Sequence, residues 1–312
     1  MQAATTTGSG SGPTAPSPSL TPAEPMVIRE RRIRWAPYTL LLPSLVFLAL
    51  FFVTPMGQAF ALGLQDRDGQ FGLASVQRML GDSNFRDALL TTLALVILVL
   101  PVQFFLAMAM ALVINAKLKG QGLWLYVFAL PLGISELAAG IVWVSIFTQS
   151  GYLNSILQGL GLIDSRIIWQ SAETPWLIII TIVIAEAWRA TSIIMIILVA
   201  GLQSIPPEFL EAADVYGATT WQKIRRVILP MLRPSLQVAL ILRAILAFQV
   251  FATVVALGGT GVTVLSEEAV RWANDIDNDH VAAAYAGLIL TLSIGATVLF
   301  LRVLPTREEQ YG

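Results

Sequence analysis

Six long apolar blocks dominate this chain and limit what it can fold into. They run roughly over 35–56, 88–114, 123–147, 175–201, 235–257 and 281–303. A helix needs about 20 residues to cross the hydrocarbon core, and each block supplies them. Lipid offers the backbone no hydrogen-bond partner, so each span is expected to be a helix. The expected fold is therefore all-α and integral to the membrane, with about six transmembrane helices. Pro43, Pro101 and Pro131 fall inside blocks and predict kinks, which packed neighbours tolerate. Charge agrees, because only 12% of the 312 residues are charged, against about a quarter in soluble domains.

The blocks divide the chain into an N-terminal tail over 1–34, a membrane domain over 35–304 and a short C-terminal tail over 305–312. Residues 1–28 are rich in Ser, Thr, Pro and Gly and are expected to be disordered. Arginines 29, 31, 32 and 34 precede the first block, and Ala59-Phe60-Ala61 imitates a signal cleavage site. The block exceeds a signal core of about 7–15 residues, so an uncleaved anchor is expected. With the N-terminus cytoplasmic, twelve Lys and Arg fall on inside segments and five on outside loops, while Arg189 and Arg243 lie within spans. The positive-inside bias thus puts both termini in the cytoplasm.

Composition excludes much chemistry. Cysteine is absent, which removes disulfides, thiolate zinc sites, iron–sulfur clusters and a cysteine nucleophile. A single histidine, His280, removes a histidine-rich metal site, and a net charge of -1 offers no basic field for nucleic acid. Asp275, Asp277 and Asp279 form an acidic outer run without the Gly and distal Glu of an EF-hand loop, so a solvated face is expected, with His280 a surface residue beside it.

The loop over 202–234 carries the sharpest pattern. Pro206-Pro207 fits a helix start, a short helix can run from Glu208 to about Tyr216, and Gly217 suits a left-handed stop. Thr219 or Thr220 can cap a second helix bearing Lys223, Arg225 and Arg226 before Pro230. Small Ala212 and Ala213, apolar Phe209, Leu210 and Tyr216, and the charge of Glu211 suit a docking surface. An interfacial helix resting on lipid is the alternative from the residues alone.

Glu211-Ala212-Ala213, three residues, Gly217, nine residues, an aliphatic, one residue and Leu229-Pro230 resemble the signature of binding-protein-dependent ABC importer permeases. Val227 stands where isoleucine is usual. Leu202-Gln203-Ser204-Ile205-Pro206, Pro234, Gly151-Tyr152-Leu153-Asn154, Trp188-Arg189, Phe248-x-x-Phe251 and Gly258-Gly259 resemble the carbohydrate branch, the maltose-type permeases. Ala252 and Val255 depart from the Asp and Tyr frequent in that branch. The resemblance covers roughly residues 36–304 and implies a type I importer permease fold in a bacterial-type inner membrane. It implies that the loop is a coupling helix seated in a cytoplasmic ATPase, with Glu211 pairing to the ATPase, Ala212 and Ala213 permitting close packing and Gly217 setting the bend. The chain has no GxxxxGK[ST] phosphate loop. ATP and Mg then belong to two separate ATPase subunits, and this chain binds no cofactor or metal. A second homologous permease and an extracytoplasmic solute-binding protein complete the implied assembly.

Ionisable residues within spans are costly and face a cavity or one another. Glu136, Glu186, Arg189 and Arg243 are these residues. Glu186 and Arg189 are three apart on one helix face, either an internal ion pair or a substrate site. Glu136, Trp143, Trp188, Arg189, Arg243 and Gln249 are the substrate-path candidates, supplying the carboxylate, amide, stacking and cationic groups a polar solute requires. The expected function is import of an oligo- or disaccharide. A same-fold permease for glycerol phosphate or a polyol is the rival that Arg243 would favour. An ion-driven secondary transporter would show internal repeats, and none is evident.

Overall fold

The computed structural model describes residues 36–66, 69–116 and 119–305. The expected disordered tail, the four arginines before the first block and the C-terminal tail from Thr306 lie outside the described residues. The described chain is helical apart from turns and one isolated bridge between Gln65 and Phe71. It divides into two compact units, Met1–Phe52 and Val53–Gly312.

The first unit holds α1 (Ala36–Leu48), with Pro43 inside it, and all but the last residue of a π-helical stretch, Ala49–Val53. In the second, α2 (Thr54–Gly63) and α3 (Ala74–Leu80) precede the long α4 (Phe85–Asn115). Helix α5 (Gln121–Ala129), a 3-10 turn (Leu130–Gly133) and α6 (Glu136–Phe147) follow, then α7 (Tyr152–Gly159) and α8 (Pro175–Gln203). After α8 come α9 (Pro207–Val215), α10 (Thr220–Lys223), a π-helical stretch (Ile224–Ile228) and α11 (Leu229–Met231). The chain ends with α12 (Arg233–Phe248), α13 (Ala252–Gly258), α14 (Leu265–Asn274) and α15 (Asp279–Val303).

Four stretches are continuous, apolar and long enough to span: Tyr38–Gly63, Phe85–Asn115, Pro175–Gln203 and Asp279–Val303. Two further spans are bent pairs, Gln121–Gly133 with Glu136–Gly159 at 100° and Thr220–Met231 with Arg233–Phe248 at 72°. Counting each pair once gives up to six, although the second pair begins within the 202–234 loop and stops short of the end of the 235–257 block. The blocks at 123–147 and 235–257 are not single helices, however. The first breaks at Pro131, Gly133 and an extended Ile134, after which Ser135 accepts a hydrogen bond from the Ala138 amide and starts α6. The second breaks over Gln249–Phe251, where no proline or glycine stands. Pro43 and Pro101, by contrast, lie in helices that continue past them.

Helix α8 lies at the centre of the second unit, packed against α4, α6, α12 and α13. Small residues allow the close approaches that membrane helices favour. A Cβ on Gly140 would stand 2.7 Å from Ala256 Cβ, and one on Gly201 would stand 2.9 Å from Leu232. On the side of α9 the core joins Ala107, Ile114, Met195, Leu198, Leu232 and Leu236.

Candidate functional site

The loop after α8 folds as two helical arms about Gly217. Pro207 opens α9, and its missing amide costs nothing at that position. The helix ends in a Schellman turn, in which Gly217 donates its amide to Asp214 and Ala218 donates to Ala213. Gly217 has φ +70°, a conformation that disfavours any Cβ. Thr219 then caps α10 with a full capping box, its hydroxyl accepting from the Gln222 amide while Gln222 accepts from the Thr219 amide. Lys223 reaches back to Asp214 at 2.6 Å and clasps the two arms.

One face of this arm is anchored and the other is bare. Leu210, Ile224 and Leu229 pack against the membrane core. Glu211, Ala212 and Gly217 are exposed, Ala213 is half-buried, and Val215 and Tyr216 are 86% and 90% exposed. Glu211 has no ion-pair or hydrogen-bond partner among the described residues. Pro230 is exposed at the base of the second arm.

Within the membrane, the intraspan ionisable residues converge. Glu186 and Arg243 form an ion pair at 2.7 Å with both side chains 2% exposed. Arg189 contacts Glu186 at 3.1 Å and lies 4.0 Å from Glu136. Two carboxylates and two guanidiniums thus balance, as low-dielectric surroundings require. Gln103 on α4 accepts from Arg243 Nε at 2.7 Å and donates to the Glu186 backbone carbonyl at 2.7 Å, while the Thr253 hydroxyl donates to Glu186 at 2.8 Å. Five helices, α4, α6, α8, α12 and α13, are tied by this one cluster. Glu186 and Arg189 form an internal ion pair, and Arg243 has its Nε and Nη2 engaged by Gln103 and Glu186.

Glu136 explains the break in the fifth block. Its Oε1 accepts from the amides of Phe251 at 3.1 Å and Thr253 at 3.2 Å, taking the orphan donors at the start of α13. A carboxylate on α6 thereby permits a helix to restart inside the membrane. Beside Glu136 and Arg189, the rings of Trp143 and Trp188 meet edge-on at 5.9 Å, and Trp143 stacks on Phe147 at 5.4 Å. Trp188 is exposed on its outer edge, Trp143 is half-buried, and Gln249 is exposed at the end of α12. Glu136 and Arg189 are half-buried and 4.0 Å apart, whereas Arg243 is fully enclosed.

The side of the membrane opposite α9 carries a second network that the sequence did not mark. Asp82 accepts from Arg271 at 2.7 Å, Trp272 at 2.6 Å and Tyr285 at 3.0 Å, and Glu268 accepts from Arg271, Asn84 and Thr263. Burial opposes ionisation of Asp82, but the Trp272, Asn84 and Tyr285 hydrogen bonds and the Arg271 charge hold its carboxyl below the usual carboxylate range. A cavity of about 610 Å³ opens beside this network, lined by Asn84, Asp87, Thr263, Glu267, Glu268 and Arg271. Burial pushes the Glu267 carboxyl up, with added repulsion from Glu268. His280 is half-buried, and its Nδ1 lies 3.1 Å from the Leu62 carbonyl, a terminal acceptor of α2. The described residues contain no cluster of metal-ligating side chains at the neighbouring aspartates.

A bent-helix core around a neutral ionic cluster, with a bare helical arm on one side, is a multi-pass membrane architecture. The family model described as "Binding-protein-dependent transport system inner membrane component" matches residues 71–307, and the chain belongs to that family: it is an inner-membrane permease component of an ABC importer, with ATP hydrolysis on a separate subunit. It is 31% identical over 280 residues to the trehalose transport system permease protein SugA of Mycobacterium tuberculosis, covering 87% of this chain and 88% of that protein. It is 30% identical over 278 residues to the trehalose/maltose transport system permease protein MalF of Thermococcus litoralis, covering 85% and 92%. In fold it is similar to a chain of a bacterial alginate ABC transporter solved in complex with an alginate pentasaccharide-bound periplasmic protein, with a TM-score of 0.72, 24% identity, and coverage of 87% of this chain and 96% of that one.

Proposed function

We propose that this permease carries an oligo- or disaccharide across the membrane, received from an extracytoplasmic binding protein and driven by ATP hydrolysed on two partner subunits. It pairs with a second homologous permease, and both its termini face the cytoplasm. ATP and Mg reside on the ATPases, and α9 is the element through which their closure reaches the spans. The observation that carries this reading is the bare face of α9. Glu211, Val215 and Tyr216 stand unpartnered on an arm whose other face is fixed to the core through Leu210 and Ile224. Large apolar side chains held in water on a rigid arm call for a partner's pocket. The trehalose and maltose relatives support a sugar as cargo, as does the partly open group of Glu136, Arg189, Trp188 and Trp143, which offers charge and ring faces to hydroxyls.

The test is reconstitution of the assembled complex in proteoliposomes with its binding protein and labelled trehalose or maltose. Uptake that requires ATP, and a Glu211→Lys variant that inserts normally yet loses substrate-stimulated ATPase activity, are the expected results. Uptake that survives ATP removal, or undiminished stimulation in the variant, contradicts the proposal.

A further inference from the structure

Helices α4, α12 and α15 enclose an apolar groove of about 690 Å³, lined by residues that include Leu93, Pro101, Phe104, Leu240, Leu292 and Phe300. The groove spans Leu93 to Phe105 along α4, about 18 Å of helix at 1.5 Å per residue. It crosses the middle of α4, and a second cavity carries it on toward α9. Thr291, the hydroxylated residue on its wall, donates to the Gly287 carbonyl and leaves the groove no unsatisfied polar group there. Phe104 and Leu240 also line a second cavity of about 390 Å³ toward the α9 side, where Arg225 and Arg233 join the wall. Pro230 and Arg233 are shared in turn with a third cavity of about 570 Å³ that contains Arg226. No carboxylate lines the second or third cavity, and Arg225, Arg226 and Arg233 have no acidic partner among the described residues.

We propose that this run of cavities is a binding site for one anionic phospholipid, its acyl chain in the α4–α12–α15 groove and its phosphate against Arg225 and Arg233. An apolar groove that leads to guanidiniums with no acidic partner among the described residues has the polarity of such a lipid in the order a lipid presents it. Arginine matches phosphate geometry, and basic groups at a membrane boundary favour anionic headgroups. The site adjoins the base of the α9–α10 arm, because Leu229 and Pro230 belong to the wall of the second cavity. Neither the cargo nor the ATPase contact enters this argument.

The test is native mass spectrometry of the full chain in detergent, equilibrated with phosphatidylglycerol or phosphatidylcholine of identical acyl chains. Phosphatidylglycerol is retained at least about tenfold better, and the Arg225→Gln/Arg233→Gln double variant lowers its retention about 25-fold, at a fivefold effect per arginine. Arg225→Lys/Arg233→Lys keeps most of the preference, which separates lost charge from lost folding, and Arg78→Gln at the far side keeps all of it. Equal retention of the two lipids, or a double Gln variant that keeps the preference, overturns the proposal. Competition by soluble glycerol phosphate as effective as by the lipid reassigns the arginines to free phosphate. Loss of the bound lipid when the chain is assembled with its partner subunits assigns the groove to a protein helix instead.

Discussion

The α9–α10 arm and the ionic cluster around Glu186 carry much of the polar character of this permease, and they are opposites. The arm is built from neighbours: Gly217 bonds Asp214, Gln222 bonds Thr219, and Lys223 pairs with Asp214, all within ten residues. Its outer face is bare. The cluster is built from distant segments, with Gln103 and Arg243 140 residues apart, and its charges are enclosed and paired. The difference separates two tasks. The arm keeps unpaired groups exposed on a locally rigid element, as the proposed docking to an ATPase subunit requires. A cluster that must hold five helices together in lipid leaves none of its central charges free.

That contrast fails if either region behaves like the other under substitution. Arg243→Ala is expected to have the largest effect on stability, roughly 3–5 kcal/mol, because Glu186 loses its buried partner. Thermal unfolding of the purified chain in detergent measures it, and a shift no larger than that of a surface substitution would show that the cluster is not structural. Glu136→Ala strips two amides at the start of α13 of their acceptor and is expected to cost about 1–3 kcal/mol and to lower transport in proteoliposomes. Normal transport would remove Glu136 from the path and leave it a helix cap.

On the side away from α9, Asp82 sharpens the comparison, since its network is long-range like the cluster yet titrates. Its carboxyl lies below the usual range in the folded chain, so its stabilising effect is complete above the ordinary unfolded value of about 4. That contribution is lost as pH falls through the depressed folded value. Melting temperature should therefore drop below about pH 4, and Asp82→Asn should reduce that drop. Gly217→Ala, at φ +70°, is expected to cost about 1 kcal/mol and to weaken ATPase stimulation by misdirecting the second arm. Glu211→Lys should change stability least, within about 0.5 kcal/mol as for an exposed residue, while its coupling is lost.

The same contrast explains what could be read before the fold was known. The Pro-Pro start, the Gly217 stop and the Thr219 cap are local signals, and α9 begins and ends within a residue of where they put it. The long blocks became spans for the same reason. Gln103 and Thr253 had no such signal, because a single polar residue in an apolar block has partners only across the fold. A glutamine at mid-block, at the depth of Glu186 and Arg243 in theirs, was the one available hint. The break over Gln249–Phe251 was equally hidden, since its cause is the Glu136 carboxylate 115 residues earlier in the chain. The Asp82 network joins positions about 190 residues apart and was invisible likewise.

The absence of cysteine makes the central claim directly testable. A single cysteine placed by Glu211→Cys, and another by Asp275→Cys on the opposite side, can be paired with a short bifunctional cross-linker in the assembled complex. The cysteine at 211 is expected to join this chain to the ATPase subunit, and the cysteine at 275 is not. A complex in which 275 links to the ATPase, or in which 211 links only to lipid or to nothing, would contradict the assignment of α9 as the coupling element.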